Sequence, residues 1–342
     1  MVGAKKASFL NEPYGGYHHR DVPKEDEELT HVGPGTPCGE YLRRFWQPVA
    51  LTEELKDLPH SIKIMGEELV IFKDRSGRIG LLELHCSHRG TSLEFGLIED
   101  KGIRCCYHGW QFDVDGRILD TPGEPPDSTY KERLCHGAYP VHEYKGLVFA
   151  YMGPPDKIPT FPIYDIFEVP GCVLHVDQAV ASQKNIKPCN WMQIVDNVPD
   201  IVHVDYLHAS SSGIQFFDRD GRPMTELLDP AVLDFMETPR GVQAIETRRV
   251  GDHIWSRQLE TIVPNIANLT RVPVLPPKYN EGKTEMCGIP KTFRWRVPID
   301  DTNTVEFHFY RFREGSDDSL PQSNAAPGSQ IGGRPYEETQ RN

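Results

Sequence analysis

Between residues 60 and 152, apolar and polar positions alternate with a period of about two, which predicts a series of short β-strands. Residues 69–72 and 79–84 are separated by a polar turn at 74–77, so these two stretches are expected to pair as a hairpin. The same pattern predicts further strands at 62–64, 110–112, 118–119, 139–141 and 146–152. These strands indicate a small all-β domain, which we delimit at residues 41–155.

Longer alternating stretches follow a proline-punctuated connection and predict a second domain over residues 156–342. Residues 190–208 have helical spacing that is interrupted near Pro199. Strands are expected at 173–181, 242–250, 254–262, 292–298 and 304–312. Antiparallel strands together with a helix indicate the α+β class.

Residues 1–40 are expected to form an N-terminal arm and a lead-in to the first domain. The first thirty residues are polar, without a clear period, and are expected either to pack late in folding or to stay loose. A turn-rich stretch at 32–37 then precedes a short amphipathic helix at 39–46. This helix is expected to end at Pro48, because proline cannot continue a helix.

The composition excludes several classes of protein. With 37 basic and 50 acidic residues the formal net charge is −13, which argues against a nucleic-acid partner, since a phosphate-binding face needs clustered Lys and Arg. No apolar run has the roughly 18 residues of a membrane span, and the N-terminus has no apolar segment of signal-peptide length. Eight unevenly spaced cysteines do not form a disulfide scaffold. We therefore expect a cytoplasmic protein with no membrane partner.

Two cysteine–histidine pairs are the strongest chemical signal in the chain. Cys86-x-His88 and Cys105-x-x-His108 are separated by sixteen residues. Two thiolates and two imidazoles suit a structural zinc ion or a Rieske [2Fe–2S] cluster, in which histidines replace the cysteines on one iron. The ligand spacing leaves both open, although a zinc ribbon would prefer Cys-x-x-Cys knuckles, which the sequence lacks.

A second group of candidate ligands is Asp200, His203 and His208. On a continuous helix these positions would fall within an arc of about 140°. Two imidazoles on one face would be half of a 2-His-1-carboxylate iron site, which leaves positions open for O₂ and substrate. The alternative is a pair of helix histidines without a metal.

The residues around both groups resemble one enzyme family. The segments His88-Arg89-Gly90 and His108-Gly109-Trp110 resemble the two ligand loops of Rieske proteins, and Asn190-Trp191 precedes the Asp200/His203/His208 set. Together they resemble the catalytic (alpha) subunit of Rieske-type non-haem iron aromatic-ring-hydroxylating oxygenases. Finer features that resemble the phthalate 4,5-dioxygenase branch lie at 34–37, 44–46, 106–110, 297–301 and 336–341.

The resemblance implies a fold and two iron centres. Residues 41–155 would be a Rieske domain, and residues 156–342 a helix-grip-like catalytic domain with a curved antiparallel sheet. The implied ligands are Cys86, His88, Cys105 and His108 for the [2Fe–2S] cluster, and His203 and His208 for a mononuclear Fe(II). Asp200 would be the catalytic residue that bridges the cluster of one subunit to the iron of its neighbour in a homotrimer.

The resemblance also implies an activity and its partners. A separate FMN/[2Fe–2S] reductase would supply electrons from NADH, and the subunit would use O₂ to hydroxylate, cis-dihydroxylate or O-demethylate an aromatic acid or aryl ether. A substrate carboxylate would pair with an arginine. The available arginines are Arg219, Arg222, Arg240, Arg248, Arg249, Arg257 and Arg271. Two other classes stay open: an electron-transfer protein with an inactive mononuclear site, and a zinc-stabilised binding module.

Two positions depart from the family pattern. Asp196 stands where the family usually has a glutamate, four residues before the bridging aspartate. The third iron ligand, a carboxylate, is expected beyond Asn342, so the catalytic domain is expected to be incomplete at its C-terminus. The carboxylates within the chain that are alternatives for this ligand are Asp317, Asp318, Glu337 and Glu338.

Overall fold

The computed structural model describes residues 10–18, 24–177, 186–207, 231–250, 253–269 and 292–314, and most of their regular structure is β-strand. The α-helices are α1 (Glu27–Thr30), α2 (Pro37–Leu42), α3 (Tyr130–Arg133), α4 (Trp191–Asp196) and α5 (Val202–Asp205). The strands are β1 (Gln47–Leu51), β2 (His60–Ile64), β3 (Glu67–Lys73), β4 (Ile79–Glu83), β5 (Leu97–Ile98), β6 (Ile103–Arg104), β7 (Gln111–Phe112), β8 (Ile118–Asp120), β9 (Ala138–Tyr139), β10 (Val141–Tyr144), β11 (Leu147–Ala150), β12 (Cys172–Asp177), β13 (Ile186–Lys187), β14 (Val232–Thr238), β15 (Gly241–Val250), β16 (His253–Ile262), β17 (Ile266–Leu269), β18 (Thr292–Asp300) and β19 (Asn303–Arg313). Short 3-10 helices cover Gly15–His18, Thr52–Glu54, Leu93–Phe95, Pro155–Lys157 and Asp165–Phe167.

The N-terminal half consists of three small antiparallel sheets. Their strand orders are β1-β11-β10, β2-β3-β4-β9 and β5-β6-β7-β8. The predicted hairpin is confirmed as β3 and β4, with Leu69 opposite Glu83 and Lys73 opposite Ile79. Its turn is closed by Asp74, whose Oδ1 accepts hydrogen bonds from the Ser76 hydroxyl at 2.6 Å and the Arg78 N–H at 2.9 Å. Aspartate favours such turns because its side chain can bond the backbone two or more residues on.

The short helix before the first sheet differs from the prediction. Thr36 caps α2 by accepting the Gly39 N–H at 3.2 Å, and Pro37 occupies the first helical position, where a missing N–H costs nothing. The helix ends at Leu42, before the predicted end at Pro48. Pro48 instead lies in β1, an edge strand, where a proline is tolerated because one side of the backbone is unpaired.

The C-terminal half is built on one large antiparallel sheet. Among the described strands, its order is β12-β19-β18-β17-β16-β15-β14, and β13 also pairs with β19. The segment predicted as an interrupted helix contains α4 and α5, which are separated at Pro199. An all-β N-terminal domain followed by an antiparallel sheet with few helices confirms the α+β class. No described helix is long and apolar enough to cross a lipid bilayer.

A single hydrophobic core joins the two halves. Phe149 of β11 packs edge-on against Trp295 of β18 with ring centroids 5.4 Å apart, and both belong to one buried cluster that also contains Leu42 and Phe307. Backbone bonds cross the same junction, including one from the Met65 N–H to the Pro298 carbonyl at 2.9 Å. The boundary near residue 155 therefore stays a prediction.

The end of the N-terminal arm is attached to the helix before the second candidate site. The Asn190 side-chain amide donates to the Thr30 carbonyl at 2.8 Å, and the Trp191 indole N–H donates to the Leu29 carbonyl at 3.2 Å. Asn190 also caps α4 by accepting the Met192 N–H at 3.0 Å. Asn190 and Trp191 therefore have a structural role, because their hydrogen bonds fix the start of α4.

Candidate functional site

The first ligand loop follows β4 and carries Cys86 and His88. The Cys86 N–H donates to the Thr91 carbonyl at 2.9 Å, and the Gly90 N–H donates to the Cys86 carbonyl at 2.8 Å. Gly90 has φ of +72°, a left-handed conformation that favours glycine. The loop is therefore closed by its own backbone, which holds the two side chains at its tip.

The second ligand loop, between β6 and β7, repeats this arrangement. The Cys105 N–H donates to the Trp110 carbonyl at 2.8 Å, and the Gly109 N–H donates to the Cys105 carbonyl at 3.1 Å. Arg104 braces the loop from outside, since its guanidinium donates to the Gly109 carbonyl at 2.7 Å. The same guanidinium also bonds Glu99, Asp120 and Gln111. Nothing in the sequence distinguishes Arg104 from a surface arginine.

The two cysteine thiols lie side by side beneath the loop tips. Cys86 is 3% exposed and Cys105 is 4% exposed, and their side chains are within hydrogen-bonding distance of each other. Burial raises the pKa of the Cys86 thiol to about 11, although the backbone N–H groups of His88 and Arg89 bond the sulphur and lower it in part. A bound iron would supply the positive charge that these buried thiolates need.

The two histidines of the loops meet above the cysteines. The rings of His88 and His108 are 4.6 Å apart, and His88 stacks on Trp110 at 4.8 Å with an interplanar angle of 1°. The Nδ1 atom of His88 is buried and has no hydrogen-bond partner in the described part of the chain. Partial burial and the neighbouring His108 lower the pKa of His88, which favours the neutral imidazole that binds metals. Paired buried thiols below and an unsatisfied imidazole nitrogen above fit a [2Fe–2S] cluster.

A proline-rich loop at 121–126 covers the second ligand loop. The carboxylate of Glu124 lies 3.6 Å from His88 Nε2, and its charge partly offsets the lowering of the His88 pKa. A Cβ atom placed on Gly109 would be 2.8 Å from the Pro122 ring. The proline-rich loop therefore contacts both ligand loops. Its Pro and Gly content alone does not indicate this role.

Replacement of Gly109 by alanine should damage the second ligand loop. The backbone has φ of +76° at this position and the added Cβ would collide with Pro122, so we expect a loss of stability of about 1–3 kcal/mol. Sulfide content and the absorption spectrum of the purified variant would show partial loss of the cluster. Gly123→Ala is a matched control, because nothing lies within 4 Å of its Cβ position. Equal sulfide content in the two variants would contradict this prediction.

The second candidate site contains Asp200 and His203. His203 lies on α5, whereas Asp200 precedes the helix, so the prediction of one helical face was wrong for Asp200. Pro199 explains the difference, because it interrupts the helix just before Asp200. Asp200 still contacts the histidine, with its Oδ2 3.5 Å from His203 Nδ1, and its side chain is 56% exposed. The Asn197 side-chain amide lies 3.4 Å from His203 Nε2.

The other predicted iron ligands fall outside the described residues. This applies to His208 and to all four carboxylates considered within the chain, Asp317, Asp318, Glu337 and Glu338. Within the described ranges, no third His, Cys, Asp or Glu side chain joins Asp200 and His203 in a group that could hold a metal ion. The described part of the mononuclear site is therefore the pair of Asp200 and His203.

A buried ionic network anchors α5 to the sheet. Asp205, two residues after His203, is 2% exposed and accepts a short hydrogen bond from Arg248 of β15. Arg248 also donates to Glu246 at 2.8 Å, and Arg257 of β16 pairs with the same carboxylate. Two of the arginines considered for a substrate carboxylate, Arg248 and Arg257, are thus occupied by internal carboxylates.

Comparisons with known proteins agree with this arrangement. Residues 45–145 match the Rieske [2Fe-2S] domain, and residues 188–329 match the vanillate O-demethylase oxygenase C-terminal domain. The tert-butanol monooxygenase / tert-amyl alcohol desaturase oxygenase subunit of Aquincola tertiaricarbonis is 40% identical, covering 96% of this chain and 71% of that protein. The phenoxybenzoate dioxygenase subunit alpha of Ectopseudomonas oleovorans is 39% identical, covering 91% of this chain and 74% of that protein.

A solved structure has the same fold at lower identity. Dicamba monooxygenase bound to dicamba superposes with a TM-score of 0.64 and 19% identity, covering 88% of this chain and 86% of that chain. The fold and the paired Cys/His loops define a Rieske protein. The chain belongs to the Rieske non-haem iron oxygenases, in the group of their catalytic subunits. Its cluster is the Rieske [2Fe–2S] group and not zinc, and the subunits of this family use a mononuclear iron at the catalytic site.

Proposed function

We propose that this chain is the oxygenase component of a multicomponent system that uses O₂ and reductase-supplied electrons to hydroxylate, cis-dihydroxylate or O-demethylate its substrate. The observation that carries the proposal is that one chain holds both the paired Cys/His loops and the Asp200–His203 contact. An electron-transfer protein would have no use for the second feature. The match of residues 188–329 to an oxygenase domain also disfavours that alternative.

Separate groups of side chains would hold the cluster and the mononuclear iron. Cys86 and Cys105 would hold the buried iron of the cluster, His88 and His108 would hold the outer iron, and His203 with His208 would hold the mononuclear iron. When bound, these centres supply electron storage and the activation of O₂. The third ligand of that iron would be a carboxylate. The Rieske domain is assigned to residues 41–155 and the catalytic domain to 156–342.

Asp200 would be the residue that connects the two centres. One of its oxygens faces His203 Nδ1 at 3.5 Å, and a carboxylate there holds the proton on Nδ1 and leaves Nε2 as the metal-binding nitrogen. More than half of the side chain is exposed, so its other oxygen can accept a hydrogen bond from a second subunit. A head-to-tail homotrimer would place a cluster histidine of the neighbour at this position.

Partners and substrate are proposed from the relatives. Rieske oxygenases receive electrons from separate ferredoxin or reductase components, and a carbazole 1,9a-dioxygenase oxygenase has been solved with its ferredoxin. For this chain we propose an NADH-dependent FMN/[2Fe–2S] reductase in the cytoplasm. Relatives named for phenoxybenzoate and phthalate support an aromatic acid or aryl ether as substrate. The 40% identical relative named for tert-butanol supports a small tertiary alcohol as the second candidate.

The proposal is tested by metal analysis together with turnover. Anaerobically purified protein supplied with Fe(II) should contain about two sulfides and three irons per chain. His203→Ala should keep the sulfides, lose about one iron and form no product, whereas the exposed His175→Ala should match the wild type. Product analysis separates the substrate classes. For this, the protein receives electrons from a reductase of the family and is supplied in turn with phenoxybenzoate, phthalate and tert-butanol.

Three outcomes have distinct meanings. Zinc without sulfide would overturn the cluster assignment, and a third iron retained in His203→Ala would overturn the role of His203. Two irons in the wild type as well as the variant would mean that His203 and His208 do not suffice to hold the mononuclear iron.

A further inference from the structure

His136 is a buried histidine beside the first ligand loop that the proposed reaction does not use. It is 4% exposed and its ring lies 4.5 Å from the ring of Phe112. Its backbone N–H donates to the Gly116 carbonyl at 2.7 Å, and the next carbonyl, of Gly137, accepts the Glu83 N–H at 2.9 Å. The histidine is therefore fixed at the place where β4, β7 and the start of β9 meet.

Both ring nitrogens of His136 have partners. Nε2 lies 2.9 Å from the Glu83 carbonyl, and Nδ1 lies 3.2 Å from the Ser87 hydroxyl. A carbonyl only accepts, so Nε2 must carry the hydrogen. Burial lowers the pKa of His136 and favours the neutral ring, in which Nδ1 is an acceptor. The Ser87 hydroxyl therefore donates to Nδ1, and its hydrogen is directed at the histidine.

Ser87 lies between Cys86 and His88, the two residues of the first loop that would bind the cluster. We propose that His136 is a positioning residue for the [2Fe–2S] cluster, which holds Ser87 and the direction of its O–H bond and thereby sets the reduction potential. Hydrogen bonds and solvent exposure around a cluster tune its potential, and residues behind the ligands orient them. The inference rests on Cys86 and His88 being ligands and does not depend on the substrate.

Four variants separate the two bonds of His136. In His136→Asn the side-chain amide replaces Nδ1 and can still accept from Ser87, whereas in His136→Gln it reaches the Nε2 position and keeps the bond to Glu83. Ser87→Ala removes the donor without touching His136, and the double variant Ser87→Ala/His136→Gln completes a cycle. Ser61→Ala is the matched control, since its hydroxyl bonds Glu94 on the same domain, away from His136.

The readouts are the midpoint potential of the cluster and the electron paramagnetic resonance spectrum of its reduced form. We expect Ser87→Ala, His136→Gln and the double variant to shift the potential by a similar amount. At a fixed solution potential, that shift should change the ratio of oxidised to reduced cluster by up to about tenfold. This corresponds to about 59 mV for a one-electron couple. His136→Asn and Ser61→Ala should stay close to the wild type, and sulfide content should be unchanged in all variants.

The proposal is overturned if the shifts of Ser87→Ala and His136→Gln add in the double variant, or if Ser87→Ala leaves both potential and spectrum unchanged. Ser87 lies on the surface, so its variant provides this test even if the buried His136 variants do not fold. Neither readout needs substrate or O₂. A protein with a normal cluster but no oxygenase activity would therefore still give a clear answer on His136.

Discussion

Replacement of Asp200 by asparagine will leave iron and sulfide content unchanged and slow turnover by about 10–100-fold. The amide has nearly the shape of the carboxylate, but it lacks the negative charge that would favour a proton on His203 Nδ1, 3.5 Å away. Electron transfer from cluster to iron would lose its connecting group. The measurement is a single-turnover experiment in which the reduced protein is mixed with substrate and O₂ and the reoxidation of the cluster is followed.

Asp165→Asn provides the control for this experiment, because it removes an exposed carboxylate of the same half of the chain that makes no contact with His203. It should reoxidise at the wild-type rate. If Asp200→Asn did the same, Asp200 would not connect the two centres, and another path between them would be required.

Arg248→Met is expected to have the largest effect on stability. Arg248 pairs with Asp205 and Glu246, which are both nearly fully buried, and its loss removes the cation that these two carboxylates share. Breaking such a pair by removing one partner costs about 3–5 kcal/mol. Because Asp205 is on the helix of His203, the variant should also lose mononuclear iron before it loses sulfide. Urea unfolding followed by fluorescence, with iron and sulfide assays, measures both effects.

Two further variants make the prediction specific. The double variant Asp205→Asn/Arg248→Met should be less destabilised than Arg248→Met alone, since it removes the buried carboxylate that was left unpaired. Arg249→Met changes the next residue of β15, which lies on the exposed face of the strand, and should cost less than about 1 kcal/mol. Equal losses in Arg248→Met and Arg249→Met would show that the network does not stabilise the helix.

The sequence predicts the alternating strands better than the fully buried strand β1 and the end of α2. Alternation located β15 and β16, whose buried residues recur about every second position. Apolar runs bounded by turn residues located β3 and β4, which are buried over several consecutive residues. Alternation missed β1, whose five residues are all buried and therefore do not alternate. The end of α2 was also misplaced. Pro48 was expected to end this helix, but it belongs to β1, and the helix ends earlier, at Leu42.

The proposed cluster ligands were recognisable in the sequence because Cys86, His88, Cys105 and His108 keep a short spacing along the chain. The groups that support the site were not. His136 lies 49 residues from Ser87, and Arg248 lies 43 residues from Asp205, so only the folded sheet brings these partners together. A charged residue on an alternating strand has the sequence pattern of a solvent-facing position, although Glu246 and Arg248 are buried.

The packing of Phe149 against Trp295 couples the half of the chain that carries the cysteine–histidine loops to the half that is built on the large sheet. A cut at the connection near residue 155 would expose aromatic rings on both faces, so neither half is a free-standing module that could be exchanged between systems. Unfolding of one half would remove part of the buried cluster that stabilises the other. Each metal centre that stabilises its own half therefore also protects the other from unfolding.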